Sequence, residues 1–231
     1  ANNMFREWRV VIKPHLEAGE NVLKIYFHSP IKVDIPKWDA LPYQYEASND
    51  QSENGGVFNK KVSVFARKAG YHYGWDWGPR LVTSGIWRPV YVEAWDDARL
   101  NDVFIRQQEV NKNCATILGE IEILADKEIE KANISITEAS SGRVLAGQSV
   151  SLKKGMNKMS LPFSIRNPKL WWSNGLGEQY LYDFRTDLTI DNRTADTQTK
   201  KVGLRSLKII NQPDKDGKTF YVELNGVPVF A

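Results

Sequence analysis

Ile117-Leu-Gly-Glu-Ile-Glu-Ile-Leu124 is one of a series of short β-rich runs that recur along the chain, separated by Gly, Asn, Asp, Ser and Pro. Before it, Val103 and Ile105 alternate in a run that begins near Arg99. After it come Ile134 and Ile136, then Val144 to Val150, with turn signals at Ser140-Ser141-Gly142 and Lys154-Gly155. Side chains along a strand alternate between two faces, whereas no long stretch here holds the 3.6-residue apolar period of a helix. The chain therefore reads as all-β. Beyond Leu161, a Pro- and Trp-rich link, Asn167-Pro-Lys-Leu-Trp-Trp172, leads into Tyr180 to Ile190, an Asp191-Asn192 turn and a run from Lys200 to Ile210. Seven or so strands in about 110 residues suggest an immunoglobulin-like sandwich. Thr219 to Leu224, Asn225-Gly226 and Val227 to Phe230 then predict a hairpin, because Asn-Gly supplies the two positive-φ positions of a type I′ turn.

Toward the N-terminus, Leu23, Ile25 and Phe27 alternate with Lys24, Tyr26 and His28, which predicts a strand with one buried face, and Trp8 to Lys13 is its expected neighbour. Between Ser29 and Lys61 the pattern fails. Pro30, Pro36 and Pro42 interrupt pairing and Ser48 to Gly56 is polar, so a long functional loop is expected there.

Composition narrows the function classes. A chain of 231 residues accommodates two modules, and eight Trp, nine Tyr and nine Phe supply enough apolar bulk for a core without disulfides or metals. The 31 basic and 28 acidic residues are interspersed, with no basic stripe to track a phosphate backbone, so nucleic acid is not an expected partner. Cys114 is the lone cysteine, and His15, His28 and His72 match no zinc spacing. No apolar run approaches the ~18 residues of a membrane span, and the first residues lack a signal-peptide core. The acceptors Asn133-Ile-Ser and Asn192-Arg-Thr are about as many as chance places. Neither cofactor nor metal is expected, and the compartment is left open, an extracytoplasmic or lysosomal one included.

The densest chemistry lies in Tyr71-His-Tyr-Gly-Trp-Asp-Trp-Gly-Pro-Arg80. Aromatic faces stack on the C–H faces of pyranose rings, a carboxylate accepts hydroxyl hydrogen bonds, and Gly and Pro fix the tight backbone that aims them. An aromatic-lined sandwich edge with Asp76 capping a turn is the structural alternative. His72 shares this loop and could donate to a sugar hydroxyl. Trp87-Arg88 could bind acidic sugars or brace the chain by stacking, and Trp171-Trp172 could form a sugar platform or pack internally.

This segment resembles the Trp-Asp-Trp-Gly-Pro loop of the β-mannosidases of glycoside hydrolase family two. Ser84-Gly-Ile-Trp-Arg-Pro-Val-Tyr-Val-Glu93 resembles that family's signature at the end of its sugar-binding-like domain. Pro168-Lys-Leu-Trp-Trp-Ser-Asn-Gly-Leu-Gly-Glu-Gln-Tyr-Leu-Tyr182 and Val202-Gly-Leu-Arg-Ser206 are similar to its immunoglobulin-domain pattern, and Phe220 to Phe230 to the hairpin leading into its catalytic barrel. The resemblance implies tandem β-sandwiches. Residues 1–97 would be the C-terminal part of a jelly-roll (galactose-binding-like) domain, 98–205 an immunoglobulin-like domain, and 206–231 a hairpin leading into a (β/α)₈ barrel that the chain does not reach.

The family's two catalytic glutamates sit on that barrel, so the resemblance assigns no catalytic residue here; Glu93, Glu178 and Glu223 lie within signature or strand patterns. It implies a retaining exo-β-mannosidase as the parent, a β-mannoside substrate, and Trp75 and Asp76 as substrate-binding residues. A related β-galactosidase or β-glucuronidase, or a stand-alone carbohydrate-binding module, is the alternative. An incomplete jelly roll would expose apolar strands and invite self-association.

Overall fold

The computed structural model describes residues 2–229; the ends of the expected C-terminal hairpin, Phe230 and Ala231, and the first residue, Ala1, lie outside the described residues. Two compact units divide the chain, Ala1–Val92 and Glu93–Ala231. The regular strands all belong to the second.

That second unit opens with strands β1 (Ala98–Val110), β2 (Cys114–Ala125), β3 (Ile129–Glu138), β4 (Arg143–Leu152), β5 (Gly155–Arg166), β6 (Tyr182–Ile190) and β7 (Arg193–Val202). They form two antiparallel sheets in the orders β1-β2-β5 and β4-β3-β6-β7. Along β2, Ile117, Gly119, Ile121 and Ile123 face inward while Glu120 and Glu122 do not, which is the period-two expectation realised. Ile117, Ile121, Ile123, Leu161 and Phe163 from one sheet bury with Ile134, Ile136, Phe184 and Leu188 from the other. Burial of each such side chain contributes about 1.5–3 kcal/mol. At Gly119 the sheets pack tightly, since a Cβ there would lie 2.3 Å from Ile136 Cδ1.

Side chains, rather than a ladder, join β1 to β7. The Leu100 amide donates to the Asp196 carboxylate at 2.8 Å, and Gln198 Nε2 donates to the Leu100 carbonyl at 2.7 Å. At the start of β6, the Tyr182 hydroxyl accepts from the Lys169 amide at 2.9 Å, which ties the preceding link to the strand. Asp191 and Asn192, with φ of 49° and 59°, make the tight β6–β7 turn that their sequence predicts.

Strands β8 (Leu207–Ile210), β9 (Tyr221–Leu224) and β10 (Val227–Val229) form a separate antiparallel sheet in the order β10-β9-β8. The expected Asn225-Gly226 turn joins β9 to β10 with φ of 53° and 81°. The run from Lys200 to Ile210 is not one strand, however. Leu204 is fully buried in the sandwich core, and the backbone at Gly203 passes so close to the Trp171 ring that a Cβ would lie 2.7 Å from it, so the chain turns there before β8 begins.

The first unit corrects two further expectations. Among its described residues no strand forms: Trp8 to Lys13 and Leu23 to His28 carry no ladder, and Leu23 and Ile25, expected to be buried, are 70% and 49% exposed. Alternation creates an apolar face, but a strand also needs a neighbour to receive its hydrogen bonds. The expected loop from Ser29 to Lys61 contains helix α1 (Pro30–Asp39). Ser29 Oγ accepts from the Lys32 amide, and Pro30 occupies the first turn, where its missing N–H costs nothing. Pro30, one of the prolines that spoke against a strand, is here part of a helix start, while Pro36 lies inside the helix and Pro42 beyond its end. The unit's interior gathers around Tyr73 and Val62, both fully buried, with Asp34, Asp50 and Ser52.

Candidate functional site

The Trp75-Asp76-Trp77-Gly78 segment is a tight turn closed by two hydrogen bonds, Trp75 N to Gly78 O and Gly78 N to Trp75 O, each 3.2 Å. Asp76 and Trp77 occupy its tip. Both are exposed, Trp77 at 87% and Trp75 at the base at 41%, and among the described residues the Asp76 carboxylate has no hydrogen-bond or ion-pair partner. It is therefore not the turn cap of the structural alternative. An exposed carboxylate flanked by two indoles can accept hydroxyl hydrogen bonds beside stacking faces.

What holds the turn was not legible as a motif. A 3-10 turn, Gly70–Tyr73, precedes it and drives the Tyr73 ring into the interior. Gly74 follows with φ 113°, a conformation that favours glycine. On the far side, Arg80 returns to the interior, where its Nε lies 3.3 Å from Asp50 Oδ1; the two side chains are 5% and 0% exposed. The other Asp50 oxygen accepts from the Ser63 amide at 2.9 Å. The Arg80 guanidinium also lies 5.7 Å from the Tyr73 ring centre. Burial first, then the negative charges of Asp34 and Asp50, push the Tyr73 hydroxyl up to about 12, with Arg80 pulling partly back. The loop thus rises from a buried pair of opposite charges with an aromatic ring between its ends.

The remaining candidates make contacts within the chain. His72 Nδ1 lies 3.4 Å from the Leu81 carbonyl and its ring packs beside Tyr71. Arg88 stacks on Trp87 at 4.4 Å, while the Trp87 indole donates to the Met4 carbonyl, which favours bracing. In the second unit, Trp171 packs on Gly203 beneath Arg205, and Trp172 packs on Gly177, so neither offers an open platform. Glu223 pairs within the β8–β9–β10 sheet, Glu178 accepts from the Trp172 amide through its carbonyl, and the Glu93 carboxylate lies 3.9 Å from Arg99.

Comparison with known proteins places these features in a family. Residues 1–88 match the family model described as glycosyl hydrolase 2 galactose-binding domain-like, and residues 98–205 match that of glycosyl hydrolases family 2. The two take in most of the chain, which belongs to glycoside hydrolase family 2. It is 32% identical over its whole length to β-mannosidase B of Aspergillus flavus and 33% identical to that of Aspergillus clavatus, spanning 26% of each. Among solved structures, a β-D-mannosidase from Dictyoglomus thermophilum superposes with a TM-score of 0.71 at 33% identity, over 88% of this chain and 24% of that one. An exo-chitosanase from Amycolatopsis orientalis shares the fold, with a TM-score of 0.50 at 20% identity over 58% of this chain and 16% of that one. The chain thus spans about a quarter of the length of the curated relatives it matches.

Proposed function

We propose that this chain is the non-catalytic N-terminal portion of a retaining exo-β-mannosidase, and that the Trp75-Asp76 turn contributes to the subsite for the terminal β-D-mannose of the full-length enzyme. The observation that carries the reading is the exposed Asp76, without a partner among the described residues, at the tip of a turn braced from the interior. The whole-length similarity to proteins named β-mannosidase supports it, as does the fraction of those proteins that this chain spans. On this reading residues 1–97 belong to the sugar-binding-like domain, 98–205 to the immunoglobulin-like domain and 206–231 to the approach to a barrel. The two glutamates that protonate the leaving oxygen and attack the anomeric carbon lie on that barrel. The turn positions the sugar; the reaction takes place elsewhere, and the 231-residue chain alone is inactive.

The test is a panel of aryl β-glycosides given to the protein extended through the barrel. It should release aryl alcohol from the β-D-mannoside at least about 100-fold faster than from the galactoside or glucuronide, a difference of about 2.7 kcal/mol in barrier. Preference for either of the others would overturn the mannose assignment while leaving the family intact.

For the isolated chain the same reading gives self-association. Val10, Val11, Val22, Leu23, Tyr91 and Val92 are each at least 70% exposed in segments without strand partners. Apolar runs of this kind pair with any available edge. Light scattering should report dimers or larger species growing with concentration, and a monomer at high concentration would count against it.

A further inference from the structure

Gln51 grips the loop at three consecutive residues. Its backbone amide donates to the Tyr73 carbonyl at 2.9 Å, and its side-chain Nε2 donates to the Trp75 carbonyl at 2.9 Å. Between these contacts its side chain lies against Gly74, where an added Cβ would come within 2.7 Å of Gln51 Oε1 and 2.9 Å of its Cβ. The Trp75 carbonyl that receives the amide also accepts from Gly78 N, the bond that closes the turn. Asp50, the preceding residue, holds Arg80 at the other end of the loop. Two adjacent residues therefore fix both flanks of the turn whose tip is Asp76.

We propose that Gln51 is a positioning residue for sugar binding: through the Trp75 carbonyl and the glycine beside it, Gln51 sets the direction in which Asp76 points. The proposal rests on the mannose-site reading but acts on the turn itself. A carbonyl with two donors is held in two directions, and removing one leaves the turn free to rotate about the other. Gly74 permits the grip because any side chain there would displace Gln51. Misplacing a binding group by about 1 Å can cost on the order of 100-fold in rate, so a small rotation is enough to matter.

Two variants separate packing from hydrogen bonding. Gln51→Met keeps the length and the contact with Gly74 but loses the donor. Gln51→Glu keeps the shape and sets a carboxylate against the Trp75 carbonyl. Amide hydrogen exchange on this chain should show the Gly78 amide exchanging about 10-fold faster in Gln51→Met, and faster still in Gln51→Glu, with the hydrogen-bonded Val33 and Ala40 amides of helix α1 unchanged as a check on the fold of the first unit. In the full-length enzyme, kcat/KM on an aryl β-mannoside should fall about 10-fold, and this loss should vanish in an Asp76→Ala background.

A role confined to stability would lower the melting temperature without this coupling. Unchanged exchange at Gly78 in both variants overturns the proposal, and so does an equal loss with and without Asp76. Should exchange rise while Asp76→Ala itself leaves activity intact, the mannose-site reading fails and the hold of Gln51 on the turn stands. Gln51→Met carries the test if Gln51→Glu does not fold.

Discussion

In a full-length enzyme, Asp76→Ala is expected to lower kcat/KM on an aryl β-mannoside by about 100-fold or more, with the stability of the first unit unchanged. The two halves of this expectation come from the same geometry. Asp76 sits exposed at the tip of its turn and has no partner among the described residues, so its removal leaves no buried group unsatisfied. Surface substitutions of this kind usually change stability by less than about 0.5 kcal/mol. A carboxylate that holds a sugar hydroxyl, in contrast, orients the ring beside the reacting groups, and orientation supplies several kcal/mol of the barrier. Asp76→Asn keeps one acceptor oxygen and should retain part of the activity. Steady-state kinetics with a melting curve on the same samples checks both halves, and unchanged kcat and KM would refute the role.

The opposite pattern is expected at Arg80, which never reaches the tip. Arg80→Met removes one partner of a pair whose side chains are 5% and 0% exposed and leaves the Asp50 carboxylate buried. Breaking such a pair costs about 3–5 kcal/mol, most of it from the charge left behind. A unit of about 90 residues has on the order of 5–13 kcal/mol in total, so the first unit should unfold at much lower urea while the sandwich transition stays in place. Adding Asp50→Asn removes the stranded charge and should recover part of the loss. Urea titration followed by tryptophan fluorescence reads both variants. A loss under about 1 kcal/mol in Arg80→Met would mean that the pair is not the foundation of the loop.

The contrast between the two residues follows what the sequence could convey. The turn that carries Asp76 was legible because it is local: the aromatics, glycines and proline around it lie within ten residues. Asp50 and Gln51 were not, because the loop residues they hold lie 22 to 30 residues further along the chain, and nothing in a polar, glycine-containing stretch distinguishes an interior ion pair from a solvated loop. The same distinction runs through the fold. Strands β1, β2 and β3 announce themselves by period two because each has neighbours that bury one face, whereas β7, which buries no residue, does not. Leu23 to His28 has the same period, yet among the described residues it has no neighbour, and alternation alone leaves it exposed. Helix α1 was hidden by its prolines, which read as breakers; Ser29-Pro30 is a start signal only when the residues after it are also read as helical. Gly203 gave no hint of ending β7, since its role depends on the Trp171 ring more than thirty residues earlier.

The assay closest to the centre of the account compares hydrolysis of an aryl β-D-mannoside by the 231-residue chain with hydrolysis by the protein extended through the barrel. Release of the aryl alcohol is expected from the extended protein alone. Turnover by the short chain would place the catalytic groups within these residues and contradict it.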